Sequence, residues 1–227
     1  MFKKIFNTWK REGLLNQALD ETENMFLLAS HNFDIATDEL INHLDVKRAD
    51  IYANDQKINS HEKNVRRKVL EHLTLNPKED TTHSLILITV VKDLERIGDY
   101  IKNIVELAYK YPKKLPDDSY TKDLIAIRDK LGIHLKNAVD IFKVGDKKKA
   151  QAFYNYYREV TEKTDALILH IMDDEKLQVR EAVTYALFSR YLKRISAHLA
   201  NILTTVINPF HLVGYGIKGE SDPEEIE

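Results

Sequence analysis

The chain of 227 residues has room for one domain or for two of about a hundred residues each. Its 43% hydrophobic and 31% charged residues suit a packed fold and argue against disorder. A net charge of −2 supplies no positive field for nucleic acid, and the lack of Cys excludes disulfide frameworks, thiolate zinc sites and Cys nucleophiles while permitting a reducing compartment.

In chain order, Phe2, Ile5, Phe6 and Trp9 recur at helical spacing opposite Lys3, Lys4, Lys10 and Arg11. Residues 1–13 therefore read as a short amphipathic helix, for which the pattern leaves three roles open: lying on a membrane, docking on a partner or packing on its own bundle. The same segment lacks the continuous apolar block of a signal peptide. Residues 14–44 carry Ala18, Met25, Leu28, Ala29, Phe33, Ala36, Leu40 and Leu44 at helical spacing. Residues 45–75 read as a second helix, ~45 Å long at ~1.5 Å per residue, closing at Asn76-Pro77.

The third helix has the seam Leu87, Val90, Leu94, Ile97, Ile101, Ile104 and Ala108, in steps of three and four, and stops before Pro112 and Pro116. The second half repeats the scheme: a helix over 118–143, a turn at Val144-Gly145-Asp146, a helix over 147–172, and one over 175–207 ended by Asn208-Pro209. Short connections make such neighbours antiparallel. The expected fold is all-α: two tandem three-helix units over 14–111 and 118–208, a short helix over 1–13 and a C-terminal tail over 209–227 whose acidic end, residues 220–227, is loose. The longest apolar run, residues 85–91, falls far short of the ~20 residues that span a bilayer, so a cytoplasmic location is expected.

The third helix of one half returns in the other. Leu94, Arg96, Ile97, Asn103 and Ile104 reappear as Leu192, Arg194, Ile195, Asn201 and Ile202, at a spacing of roughly a hundred residues. The apolar spine is kept while the acids are not: Asp93, Glu95 and Asp99 become Tyr191, Lys193 and Ala197. Glu95 and Asp99, four apart, project from one helix face. Asp55, Asn59 and Glu62 form a second oxygen-rich stripe, on the preceding helix. Were the two helices adjacent, the stripes would converge on one site for a hard cation. Charged stripes are also ordinary solvated faces, and spacing alone leaves both readings open.

The run Asp93-Leu-Glu-Arg-Ile-Gly-Asp99, followed by Asn103-Ile104 and preceded by Asp55, Ile58, Asn59 and Glu62, resembles the PhoU family of phosphate-signalling proteins. The resemblance covers about residues 14 to 208. It implies two bundles related by pseudo-twofold symmetry, metal sites on an acidic motif in each bundle, and regulation of phosphate uptake with a membrane transporter and, in many members, a sensor kinase. Carried over residue by residue, the motif falls on Glu95 and Asp99, with Asp93 nearby and Asp55 and Glu62 as helpers. Lys193 and Ala197 break the second copy, so the expected metal (Fe, Mn, Mg or Zn) belongs to the first bundle only.

Arg180, Arg190, Lys193, Arg194 and His198 make the last helix locally basic, either a partner surface or a solvated face. The nine His form no metal pattern, and Asp80 stands where it can cap a helix. The expectation is a non-enzymatic regulator or accessory protein of phosphate uptake, with a homodimer and peripheral membrane association among its expected contacts. Its rivals are a metal-dependent helical-bundle enzyme and a ligand-free structural adaptor.

Overall fold

The computed structural model describes residues 13–44, 48–76, 78 and 80–215. Among these lie α1 (Leu14–Asn42), α2 (Arg48–Leu75), α3 (Thr81–Lys110), α4 (Ser119–Val144), α5 (Lys147–Asp173) and α6 (Val179–Ile207), then a 3-10 turn at Phe210–Leu212 and no strand. The helix read over residues 1–13 lies outside the described residues, apart from Gly13, as do residues 216–227 of the tail.

Helix ends follow local chemistry. The Asp118 carboxylate accepts the Thr121 N–H at 2.8 Å and starts α4, and Asp146 does the same for α5 through the Lys149 N–H at 3.1 Å. Gly145 closes α4 in the left-handed region, φ 68°, its N–H donating to the Ile141 carbonyl. Asp80 does not cap α3 with its side chain. Two boundaries differ from expectation. His43 takes the left-handed conformation and ends α1 at Asn42, short of Leu44. The α6 helix begins at Val179, past residue 175, because Asp174 draws the Lys176 N–H to its carboxylate and the Leu177 N–H to its carbonyl, leaving Gln178 extended. The first residues after α6 are tied back to it: the Gly214 N–H donates to Thr204 Oγ1, and the Asn208 amide to the Tyr215 carbonyl.

In the first bundle α1, α2 and α3 all pack on one another, while in the second α6 packs on both α4 and α5, which barely meet. Every residue of the seam from Leu87 to Ala108, and of its counterpart Tyr185, Phe188, Leu192, Ile195, Leu199, Ile202 and Val206, is at most 2% exposed. Burying each large aliphatic side chain contributes about 1.5–3 kcal/mol, which makes α3 and α6 the structural centre. The bundles join through α3 on α6 and α1 on α4. The connector between them docks as well, with the Leu115 N–H donating to the Ile41 carbonyl and Tyr111 and Leu115 buried.

Contacts along α3 and α6 show that they run antiparallel. His198 Nδ1 lies 2.8 Å from Asp93 Oδ1, the Tyr100 and Tyr191 rings are 6.2 Å apart, and Tyr111 donates to Glu181 at 3.4 Å. In the repeat register Asp93 corresponds to Tyr191 and Tyr100 to His198. One contact is thus made twice with different chemistry, as a carboxylate–imidazole hydrogen bond and as an aromatic pair. The pseudo-twofold axis relating the bundles passes near Ile97 and Ile195.

Candidate functional site

The α2 helix lies antiparallel along α3. The Arg48 N–H donates to Tyr109, Tyr52 to Glu106, and Lys102 to Asp55. Continuing that register sets Glu62 level with Glu95. Gly98 lies against α2: a Cβ there would meet Ile58 Cδ1 at 3.4 Å and Asp55 Oδ1 at 3.5 Å, ordinary contact distances. The two acidic stripes do face each other.

The cations that pair with them are the chain's own, and one of these, Lys102, spans the two stripes. Lys102 Nζ donates to Asp99 Oδ1 at 3.0 Å and to Asp55 Oδ2 at 3.1 Å, tying α3 to α2. Arg96 reaches Asp99 Oδ2 at 3.4 Å, Lys92 donates to Glu95 Oε2 at 2.7 Å, and Arg66 pairs with Glu62 Oε1 at 2.7 Å. Asp55 and Glu62 are buried, which raises the cost of leaving either unpaired. Burial works against the Lys102 ammonium, yet its hydrogen bonds to Asp99 and Asp55 outweigh that and hold its pKa above the ordinary lysine value.

Asp93 does not join them. Two residues from Glu95 is about 200° around a helix, so Asp93 faces α6, beside His198 and the Asn201 amide at 3.4 Å. A hard divalent cation needs several oxygen lone pairs converging at about 2.0–2.6 Å. Here the Asp55 and Asp99 oxygens that face across the seam are turned onto an ammonium. Among the described residues no three His, Cys, Asp or Glu side chains converge as a metal-ligand set. As placed, these acids fit side-chain cations and not a metal ion.

In the second bundle Lys193, the counterpart of Glu95, donates to both Asp165 oxygens at 2.8 Å, again linking the third helix of a unit to its second. The basic run on α6 is divided among several tasks. Arg194 donates to Tyr100 at 3.1 Å, His198 faces Asp93, and Arg180 and Arg190 are exposed. Sequence reading passed over Lys102 and Tyr100. The spacing of Lys102 three residues after Asp99 was visible, but its partner on α2 was not. Away from the seam, the gap between α4 and α5 forms a groove of about 400 Å³ lined by Ile127, Lys130, Tyr156, Val160, Leu167 and His170 among others.

The phosphate-specific transport system accessory protein PhoU homolog of Caulobacter vibrioides is 25% identical over 171 residues, 72% of this chain and 73% of its own length. The crystal structure of PhoU from Pseudomonas aeruginosa superposes with a TM-score of 0.78 at 20% identity, covering 87% of this chain and 97% of that one. The phosphate transport system regulatory protein PhoU of Streptococcus pneumoniae gives 0.70 at 16% identity, with 86% and 95% covered. Both structures share the fold. The family model described as PhoU domain matches twice, over residues 22–108 and 127–206, once in each bundle. Matched in both halves across the helices that build the repeat, this chain belongs to the PhoU family.

Proposed function

We propose that this chain is a regulator or accessory protein of phosphate uptake and signalling that works by contact with other proteins and not by catalysis. The observation that carries this reading is the family model matching both bundles, supported by a relative named for accessory work in phosphate-specific transport. The architecture suits contact. Two bundles locked through α3 and α6 present long rigid faces, and exposed apolar side chains such as Leu27, Ile133, Leu169 and Met172 stand on three of the remaining helices. In this reading the partners are a phosphate transporter and a sensor kinase at the cytoplasmic side of a membrane, and the chain can pair as a homodimer. No helix among the described residues is long and apolar enough to cross a membrane. Attachment is peripheral in this reading, with residues 1–13 as its candidate anchor.

The test is genetic and biochemical. Deleting the gene in its source organism is expected to leave phosphate uptake and a phosphate-starvation reporter active in abundant phosphate, and the intact chain to restore repression. Tagged chain recovered from membranes is expected to carry transporter subunits with it. Normal repression in the deletion strain would refute the proposal.

A further inference from the structure

We propose that the Lys102 ammonium occupies the place of a divalent cation in the first bundle, so that this chain closes its α2–α3 seam without metal and becomes a metal binder only when that amine is removed. Asp55 and Asp99 come from different helices, and Lys102 Nζ stands within 3.1 Å of an oxygen on each. That is the bridging task a metal performs between carboxylates of neighbouring helices, done here by a point charge with N–H donors. With Arg96 on the outer oxygen of Asp99, the ammonium between the two carboxylates brings the cluster to neutrality. Without it the cluster carries −1, and the buried Asp55 faces Asp99 with no cation between them, the arrangement that draws a hard divalent ion.

The second bundle supports the assignment independently. Where the repeat puts Glu95, Lys193 stands with its amine 2.8 Å from both Asp165 oxygens, an ion pair between the third and second helices of that unit. Each seam therefore holds an internal ammonium, although the two lysines come from different repeat positions. Two independent solutions to one local charge problem are what a fold tied across its seams without metal requires. This inference does not depend on the proposed role in phosphate uptake.

The experiment uses the full chain, purified and dialysed free of metal, with Mn²⁺ as the probe in equilibrium dialysis and thermal melting. The unaltered chain is expected to show no saturable Mn²⁺ site sensitive to Asp55→Asn with Asp99→Asn. Lys102→Met, similar in length and uncharged, is expected to gain one site and a rise in melting temperature of roughly 5–10 °C at Mn²⁺ about a hundredfold above Kd. Adding Asp99→Asn to Lys102→Met is expected to remove both gains. If Lys102→Met loses helical signal without metal, its recovery in Mn²⁺ counts as the same gain. A site in the unaltered chain that vanishes with Asp55→Asn and Asp99→Asn overturns the proposal, as does a Lys102→Met chain that neither binds Mn²⁺ nor regains structure in it.

Discussion

The first and second bundles share an apolar spine, an Arg and an Asn along their central helices, and differ in their acids. Leu94, Ile97, Ile101 and Ile104 and their counterparts Leu192, Ile195, Leu199 and Ile202 are all buried, while Glu95 and Asp99 correspond to Lys193 and Ala197. The polar contacts differ in kind, with Lys102 bridging two carboxylates in one seam and Lys193 clasping a single carboxylate in the other. Closure differs too: α1, α2 and α3 form a complete triangle, whereas α4 and α5 leave a groove between them. The comparison separates what builds this fold from what decorates it. Non-directional burial along the spine fixes the bundle, and charges vary so long as each is matched locally.

The largest expected effect tests the shared part. Ile97→Ala and Ile195→Ala should each destabilise by about 2–5 kcal/mol in denaturant titrations, because both sit in a packed centre that has little room to relax. They flank the pseudo-twofold axis, so a double variant should deviate from additivity. A loss confined to one of the two would show that the bundles are not equivalent supports.

The next effect tests the unshared part. In metal-free buffer Lys102→Met should cost about 1–3 kcal/mol, since it leaves the buried Asp55 facing Asp99 with no ammonium between them. Lys193→Met should cost under ~1 kcal/mol, because Asp165 is 54% exposed and water replaces the lost partner. Raising the salt concentration should weaken the Lys193 pair more than the Lys102 bridge. Equal costs would mean that the two ammonium sites are interchangeable.

Sequence made the spine legible because its seams run unbroken between strong stops, Asn76-Pro77, Pro112 and Asn208-Pro209. Helix ends without a Pro were harder. The departure at Val179 depends on how Asp174 spends its hydrogen bonds, which periodicity does not encode. The site was half legible. Helical geometry alone places Asp93 about 200° from Glu95, yet the shared motif drew them together. Lys102 became meaningful only once α2 lay against α3 in a definite register. The Tyr100, Arg194 and His198 contacts between bundles needed the α3–α6 crossing, for which neither helix carries a local signal.

A smaller effect concerns the corresponding helix ends. His43 closes α1 at φ 54° and Gly145 closes α4 at φ 68°. Gly145→Ala should destabilise by about 1 kcal/mol, because a Cβ is strained in that region. His43→Gly should change stability by under ~1 kcal/mol, relief of the same strain being offset by a more flexible unfolded chain. Thermal melts of the pair would show whether the two turns are equivalent corners of the repeat.

The smallest expected effect is a difference in acid sensitivity between the bundles. In the second, His134 packs against Tyr156 with ring centroids 4.8 Å apart and meets Phe153 edge-on. Burial, aided by the nearby Lys130 charge, holds its pKa below the ordinary 6.5. The folded chain therefore binds a proton there less readily than the unfolded chain does. Stability from this group is complete above about pH 6.5 and is lost as pH falls from there through the lowered folded value. In the first bundle burial pushes the Glu21 pKa up, but hydrogen bonds from His61 and Asn64 and the charges of His61 and Lys68 pull it below 4.5. Its contribution is present above pH 4.5 and disappears only as pH falls through that lower range. Between pH 6.5 and 4.5 the second bundle should thus soften first, by under about 1 kcal/mol after allowance for solvent screening at the half-exposed imidazole. Hydrogen exchange resolved by helix should show α4 and α5 losing protection ahead of α1 and α2, and His134→Phe should remove that lead. Simultaneous loss in all four helices would mean that the α3–α6 junction makes the two bundles one cooperative unit.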